Sequence, residues 1–231
     1  MNLFDIIGPV MVGPSSSHTA GAARLGYVAQ RLLGEPVARA GIGLYGSFLA
    51  TGKGHGTKKA LVAGLLGMLP DDERIPESVA IAGDRGLAFS FEEAFLNEAH
   101  PNTAVFKLTG KYGRRLEMTG ISIGGSRIRV TRIDGVSTDF TGDYPTLIVN
   151  NADKPGLVAG VAALLADHAI NIASMQLYRS SRGKDAIMVM ECDQEIPGDV
   201  IKHLREQRGI MKVMYLSLER TPTKEEAPHG I

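Results

Sequence analysis

From residue 144 onward the apolar residues change period in one fixed order, and that order leaves few folds open. Residues 146–150, Thr-Leu-Ile-Val-Asn, read as a strand, and Pro155-Gly156 opens a helix lasting to about residue 168. Residues 170–178 and 186–192 read as strands joined by a hairpin turn at 180–184. A second helix over 198–207 and a strand over 211–218 close the unit. A βαββαβ chain of this kind buries one sheet face under its two helices.

The first part of the chain is glycine-rich and alternates helical with extended runs, which is an α/β pattern. After Ser15-Ser16-Ser17 a helix runs to residue 33, with Leu25, Val28, Ala29, Leu32 and Leu33 as its apolar stripe. Gly34, Glu35 and Pro36 stop it, and 37–45 is extended. A second helix is expected over 56–68, a short strand over 79–82, a short helix over 91–97 and a strand over 103–108. Residues 114–121 and 127–132 alternate as an antiparallel pair that bends at Gly124-Gly125. Asp, Gly, Ser and Thr dominate around 134–143. The expected organisation is a domain over 1–134, a linker over 135–143, a second domain over 144–219 and a flexible tail over 220–231.

Charge and cysteine narrow the function classes. Lys plus Arg and Asp plus Glu both total 25, so the net charge is +0 and nothing steers the chain toward nucleic acid or an anionic membrane. The lone Cys192 excludes an internal disulfide framework and a self-supplied iron–sulfur cluster, and it points to a reducing compartment. The opening Met1-Asn2-Leu3-Phe4-Asp5 lacks the basic region of a signal peptide, so the cytoplasm is expected.

Four loops marked by glycine, serine or histidine can carry chemistry. In Gly13-Pro14-Ser15-Ser16-Ser17-His18-Thr19, free backbone N–H groups converge at a helix start, which suits a carboxylate or a phosphate. His18 is placed there to act as base or acid. The other reading is an ordinary serine N-cap beside a surface histidine. The run from Gly46 to Thr57 follows a strand and precedes a helix, the crevice position of α/β sheets, and carries Lys53, Gly54 and His55. It lacks the Lys-Ser/Thr ending of a phosphate-binding P-loop, and a mobile surface loop is its alternative. His100-Pro101-Asn102 and Gly124-Gly125-Ser126 are turns that alone are structural, but together with the other loops they suffice for a pocket. The histidine spacing does not match a zinc ligand set, so no metal is assigned to this chain. In the second domain, Asp153, Pro155, Gly156 and Leu157 at the helix entry, with Asn171 and Ile172 at the next strand, can hold the two charged ends of an amino acid. Capping and dimer packing without a ligand is the alternative.

Taken together, the loops at 13–19, 51–57, 100–102 and 124–126 resemble the beta subunit of bacterial iron–sulfur-dependent L-serine dehydratases, whose larger domain is of the allosteric-substrate-binding type. The Asp-Lys-Pro-Gly of 153–156 followed by Asn171-Ile172 resembles an ACT domain. The resemblance implies an L-serine ammonia-lyase that forms pyruvate and ammonia. It implies a [4Fe–4S] cluster held by a cysteine-rich alpha subunit, and no pyridoxal phosphate. It implies that His18 and His55 complete the active site, with His100 near its mouth and Ser15, Ser16, Ser17 and Thr19 shaping the pocket. It further implies self-association through the ACT domain, with L-serine as substrate and possible effector. One departure is Ser126, where the family often has a third glycine.

Two competing functions stand beside this one. A stand-alone amino-acid sensor docking to another enzyme has no evident need for histidines in two glycine-rich loops. A hydrolase built on Ser17 lacks a nucleophile-elbow context.

Overall fold

The computed structural model describes residues 10–51, 54–179, 181 and 183–217. A π-helical turn, Ser16–Ala20, leads directly into α1, Gly21–Leu33. Then follow β1 (Val37–Tyr45), the single turn α2 (Ser47–Ala50), α3 (Thr57–Leu65), a 3-10 turn at Ile75–Glu77 and α4 (Ser78–Asp84). The strands β2 (Ala88–Glu93), β3 (Thr103–Gly110), β4 (Arg115–Gly124), β5 (Arg127–Ile133) and β6 (Val136–Phe140) complete the first sheet. Its order is β2-β1-β3-β4-β5-β6, with β1 and β2 parallel and every other pair antiparallel. The amphipathic α1 lies on β3, β4 and β5, and α3 packs along α1. The opposite sheet face stays wet, as Lys107, Arg115, Glu117, Arg127 and Arg129 show by their exposure.

The second unit runs β7 (Thr146–Ala152), α5 (Leu157–Asp167), β8 (Ile172–Arg179), β9 (Asp185–Cys192), α6 (Gly198–Glu206) and β10 (Ile210–Leu216). These strands form an antiparallel sheet in the order β10-β7-β9-β8. One face is the expected one: Leu147, Val149, Met188, Met190 and Val213 pack under the helices with Val161, Leu165, Val200 and Leu204. The other face is not free. Ile148, Ile187, Val189, Met214 and Leu216 belong to the same buried cluster as Val28, Leu32, Val130 and Phe140 of the first unit. The strand period of two thus serves two cores at once. Arg24 of α1 pairs with Asp143 across this junction, and Lys212 of β10 bonds Asp134 at 2.5 Å.

Three local expectations are corrected. Residues 79–82 are helical, inside α4: Pro76 opens the preceding turn, and the buried Ser78 anchors it by donating to Lys59 O at 2.7 Å. Residues 91–97 are not a helix. Phe89 and Phe91 alternate onto one side of β2 with their rings 5.8 Å apart, and β1 supplies a parallel partner that local propensity does not register. The stretch expected as a linker contains β6. Asp134-Gly135, both at positive φ (47° and 82°), form the two-residue turn of a hairpin that pairs Ile133 with Val136. The expected tail lies outside the described residues.

Candidate active site and effector loop

All four candidate loops of the first unit meet at one end of its sheet. The register requires this: Tyr45, ending β1, faces Thr103, which begins β3, and Thr103 faces Ile121 near the end of β4. At that end the π-helical turn projects His18. Ser15 Oγ accepts from His18 N at 3.0 Å, so Ser15 is the N-cap and Ser17 is released for another role. A π turn widens the backbone by one residue relative to an α turn, and such turns frequently sit at functional sites.

The His18 ring is held on every side. Its Nδ1 lies 3.2 Å from Ser17 Oγ and its Nε2 3.0 Å from Ser47 Oγ. Phe48, fully buried, meets it edge-on with ring centroids 5.4 Å apart, and the His55 ring lies at 5.3 Å. Thr19, itself buried, donates to His55 O at 2.9 Å and so pins the loop that bears His55. Partial burial, and then the second imidazole, hold His18 below the ordinary histidine range, against hydrogen bonding to the Ser47 backbone, which pushes the other way. At neutral pH His18 is therefore an uncharged imidazole with a proton acceptor available.

The remaining loops brace this pair. Gly125 N donates to Ser16 Oγ at 3.4 Å, Ser126 N to Ser16 O at 3.2 Å, and Ser122 Oγ to Ser17 O at 3.0 Å. Ser126 is buried in the left-handed region at φ 59°, with no partner for its hydroxyl among the described residues. That conformation explains why glycine suits the position. Gly46 sits at φ 59°, and a Cβ there would lie 2.7 Å from Pro101 Cα, so only glycine lets the 46–51 turn nest on the His100 turn. Phe48 N accordingly donates to Pro101 O at 3.2 Å. His100 is at this end but turned to its own loop, where Nδ1 accepts from Asn102 N at 3.1 Å. Asn102 bonds Ser122 O through its side chain at 3.4 Å. Gly54 is exposed beside His55, and Lys53 lies outside the described residues. Sequence reasoning missed Ser47 and Ser122 as site members. Ser47 could have been noticed as a hydroxyl directly after a strand, whereas Ser122 offers no local signal.

The effector candidates of the second unit do not converge within one chain. Asp153 Oδ2 accepts from Gly183 N at 2.8 Å and pairs with Arg179 at 3.2 Å, at the end of β7. Gly156, at φ 91°, turns the chain into α5, which starts at Leu157. Asn171 lies at the other end of the sheet, where its side chain donates to Asp193 at 2.6 Å and Ile172 begins β8 opposite Cys192. Strands of this length separate the two ends by roughly 20 Å. Within one chain the two groups therefore do not meet. Near Asp153 an unforeseen group appears: Asn151 is buried, and its Oδ1 has no partner among the described residues.

Among the described residues no three His, Cys, Asp or Glu side chains group as metal ligands. Cys192 is fully buried under α6, and burial pushes its thiol up to about 11, so it is no ready thiolate. Among the described residues no helix is long and apolar enough to cross a membrane.

Comparison with known proteins agrees with this anatomy. The serine dehydratase beta chain family matches residues 2–82, and the ACT domain family matches 145–209. A probable L-serine dehydratase beta chain of Bacillus subtilis is 43% identical over 212 residues, covering 92% of this chain and 96% of that one. The L-serine dehydratase beta chain of Peptoniphilus asaccharolyticus is 35% identical over 84% of this chain and 87% of its own length. A D-3-phosphoglycerate dehydrogenase of Bacillus subtilis is 27% identical over 206 residues, covering 85% of this chain and 37% of its own length. With a histidine-bearing α/β unit joined to an ACT unit, and relatives aligned over nearly its whole length, the chain belongs to the L-serine dehydratase beta-chain family and is an enzyme subunit with a C-terminal ACT domain.

Proposed function

We propose that this chain is the beta subunit of an L-serine ammonia-lyase that converts L-serine to pyruvate and ammonia, and that it contributes His18 and His55 to an active site completed by a cysteine-rich alpha subunit. The observation that carries this reading is the paired imidazoles at an open end of the sheet, one neutral and braced, one exposed on a glycine-rich loop. Such a pair is half a site. The chain offers no thiolate set of its own, which fits a [4Fe–4S] cluster held by the partner subunit. When bound there, the cluster supplies Lewis acidity toward the β-hydroxyl of serine.

The residues of this chain do the rest. Removing the weakly acidic α-proton needs a positioned neutral base, and the depressed His18 meets that need at neutral pH. Ser17 and Ser47, on the two ring nitrogens, hold its orientation. His55, on the adjacent loop, gives a proton to the departing hydroxide, which leaves as water. The first backbone amides of the Ser16–Ala20 turn, those of Ser16 and Ser17, offer donors to the substrate carboxylate. Exposed Leu49, Phe95 and Ile123 lie at the same end of the sheet, and they suit burial against the alpha subunit around the site.

For the ACT unit, the edge strand β8 presents Met175 and Leu177 at 40% and 44% exposure, beside the alanine-rich α5. Antiparallel pairing of β8 with a second copy would bring the partner's Asn171 to the sheet end that carries Asp153. An amino acid such as L-serine would then be held between two chains, with Asn151 adding a buried acceptor.

The test is pyruvate release from L-serine by this chain copurified anaerobically with its cysteine-rich partner. Activity is expected only in the pair. H18A and H55A should each lower turnover at least about 100-fold while leaving the cluster absorbance unchanged. Near-normal turnover in both variants would overturn the histidine roles. A stable complex with an intact cluster and no pyruvate would leave the chain as an amino-acid-sensing regulator instead.

A further inference from the structure

The junction between the two units is not filled. Two adjoining cavities of about 370 Å³ and 520 Å³ open between the C-terminal end of α1, the β3–β4 hairpin and α6. Both are lined by Leu32, Met214, Arg114 and Arg205. Volumes of this size accommodate a small metabolite. The walls are apolar, from Leu32, Ile210, Val213 and Met214, whereas the polar lining is strongly cationic.

Arg114 comes from the hairpin and Arg205 from the last turn of α6, so the two units each contribute one guanidinium. Arg114 is fixed in position: its Nη1 donates to Leu33 O at 3.4 Å, and its backbone N donates to Glu35 at 2.9 Å. Glu35 is the only carboxylate among the lining residues, and its Oε1 is committed to the amides of Tyr112 and Arg114. Arg115 and Lys212 add cationic groups to the first cavity, Lys212 being paired with Asp134. Arg205 has no carboxylate within ion-pair distance among the described residues. Partial burial and then the Arg114 charge disfavour its protonated form. Arginine stays charged in proteins, so both guanidinium groups present positive charge to the cleft.

We propose that this cleft binds a small organic dianion, a dicarboxylate or a phosphate ester, gripped between Arg114 of the first unit and Arg205 of the ACT unit. Two guanidinium forks match the paired oxygens of such groups, and the apolar wall takes a short carbon body. The site lies away from the histidine end of the sheet, against the other end of α1. A ligand that bridges Arg114 and Arg205 favours whichever placement of the ACT unit closes the cleft, and β10 packs directly on α1. This inference does not depend on the reaction assigned to His18 and His55.

The experiment is calorimetric titration of the full chain with succinate and, separately, with inorganic phosphate, each at ionic strength matched with chloride. Saturable binding of at least one probe is expected, weakened at least tenfold in R205Q and less in R205K, which keeps the charge but loses the fork. Circular dichroism checks that both variants are folded, as substitution at an exposed position should leave them. Binding of succinate alone assigns the site to dicarboxylates, and binding of phosphate alone assigns it to phosphate esters. Equal affinity in R205Q, or no saturable binding of either probe at millimolar concentration, overturns the proposal.

Discussion

Replacing Gly64 with alanine tests the packing on which the site depends. Gly64 of α3 faces Gly26 of α1, and the two helices touch through their backbones. A Cβ on Gly64 would lie 2.1 Å from Ala23 O, 2.5 Å from Tyr27 N and 2.8 Å from Gly26 C. Ordinary contact starts at 3.4 Å, and every obstructing atom is backbone, so no side chain can swing away. The helices would have to part by about 1 Å in a close-packed interior. Overpacking of this kind costs about 1–3 kcal/mol, and occasionally more. Removing a helical glycine returns at most about 1 kcal/mol. The overpacking term wins, and a net destabilisation of about 1–2 kcal/mol is expected for G64A. Urea unfolding followed by circular dichroism measures it as a lower midpoint at unchanged slope. The shift of α1 also carries the His18 turn with it, so turnover in the assembled enzyme should fall together with stability. A G64A chain as stable as the unsubstituted one would refute the tight crossing and the placement of His18 that follows from it.

Two further outcomes follow from the same geometry. The His18 imidazole, followed by NMR, should titrate below 6.5 and move upward in H55Q, which removes the neighbouring imidazole charge. Because the unfolded chain then takes up this proton first, the stability linked to His18 falls as pH drops from 6.5 through its depressed pKa, and titration at or above 6.5 would contradict the site described. On the ACT unit, L177E places a charge on the exposed edge of β8 and should abolish concentration-dependent self-association in sedimentation while leaving the monomer folded; unchanged association would remove β8 as the interface.

Much of this protein can be read along the chain, because many of its signals are local. The βαββαβ unit needs only periods, Pro155-Gly156 and the turn residues, and the structure places each of its elements within two residues of the expected span. The four loops can be recognised because glycine, serine or histidine marks each of them in the sequence. Where a partner far along the chain decides the outcome, local reading fails. Ala88–Glu93 is a strand because β1 accepts it as a parallel neighbour, although Glu92, Glu93 and Ala94 read as helical. Residues 136–140 join the first sheet because Asp134-Gly135 turns them back onto β5, although their composition is that of a linker.

The sequence by itself determined the two folding units, the histidine-bearing loops and the lack of a thiolate set, since those depend on residue type and spacing. Only the tertiary structure decided that His18 meets Ser47 and His55, that Asp153 and Asn171 stand at opposite ends of one sheet, and that Arg114 faces Arg205 across a cleft. Each of these is a contact, or a separation, between residues distant in the chain. Strand register and helix crossing fix such relations, and no local period encodes them.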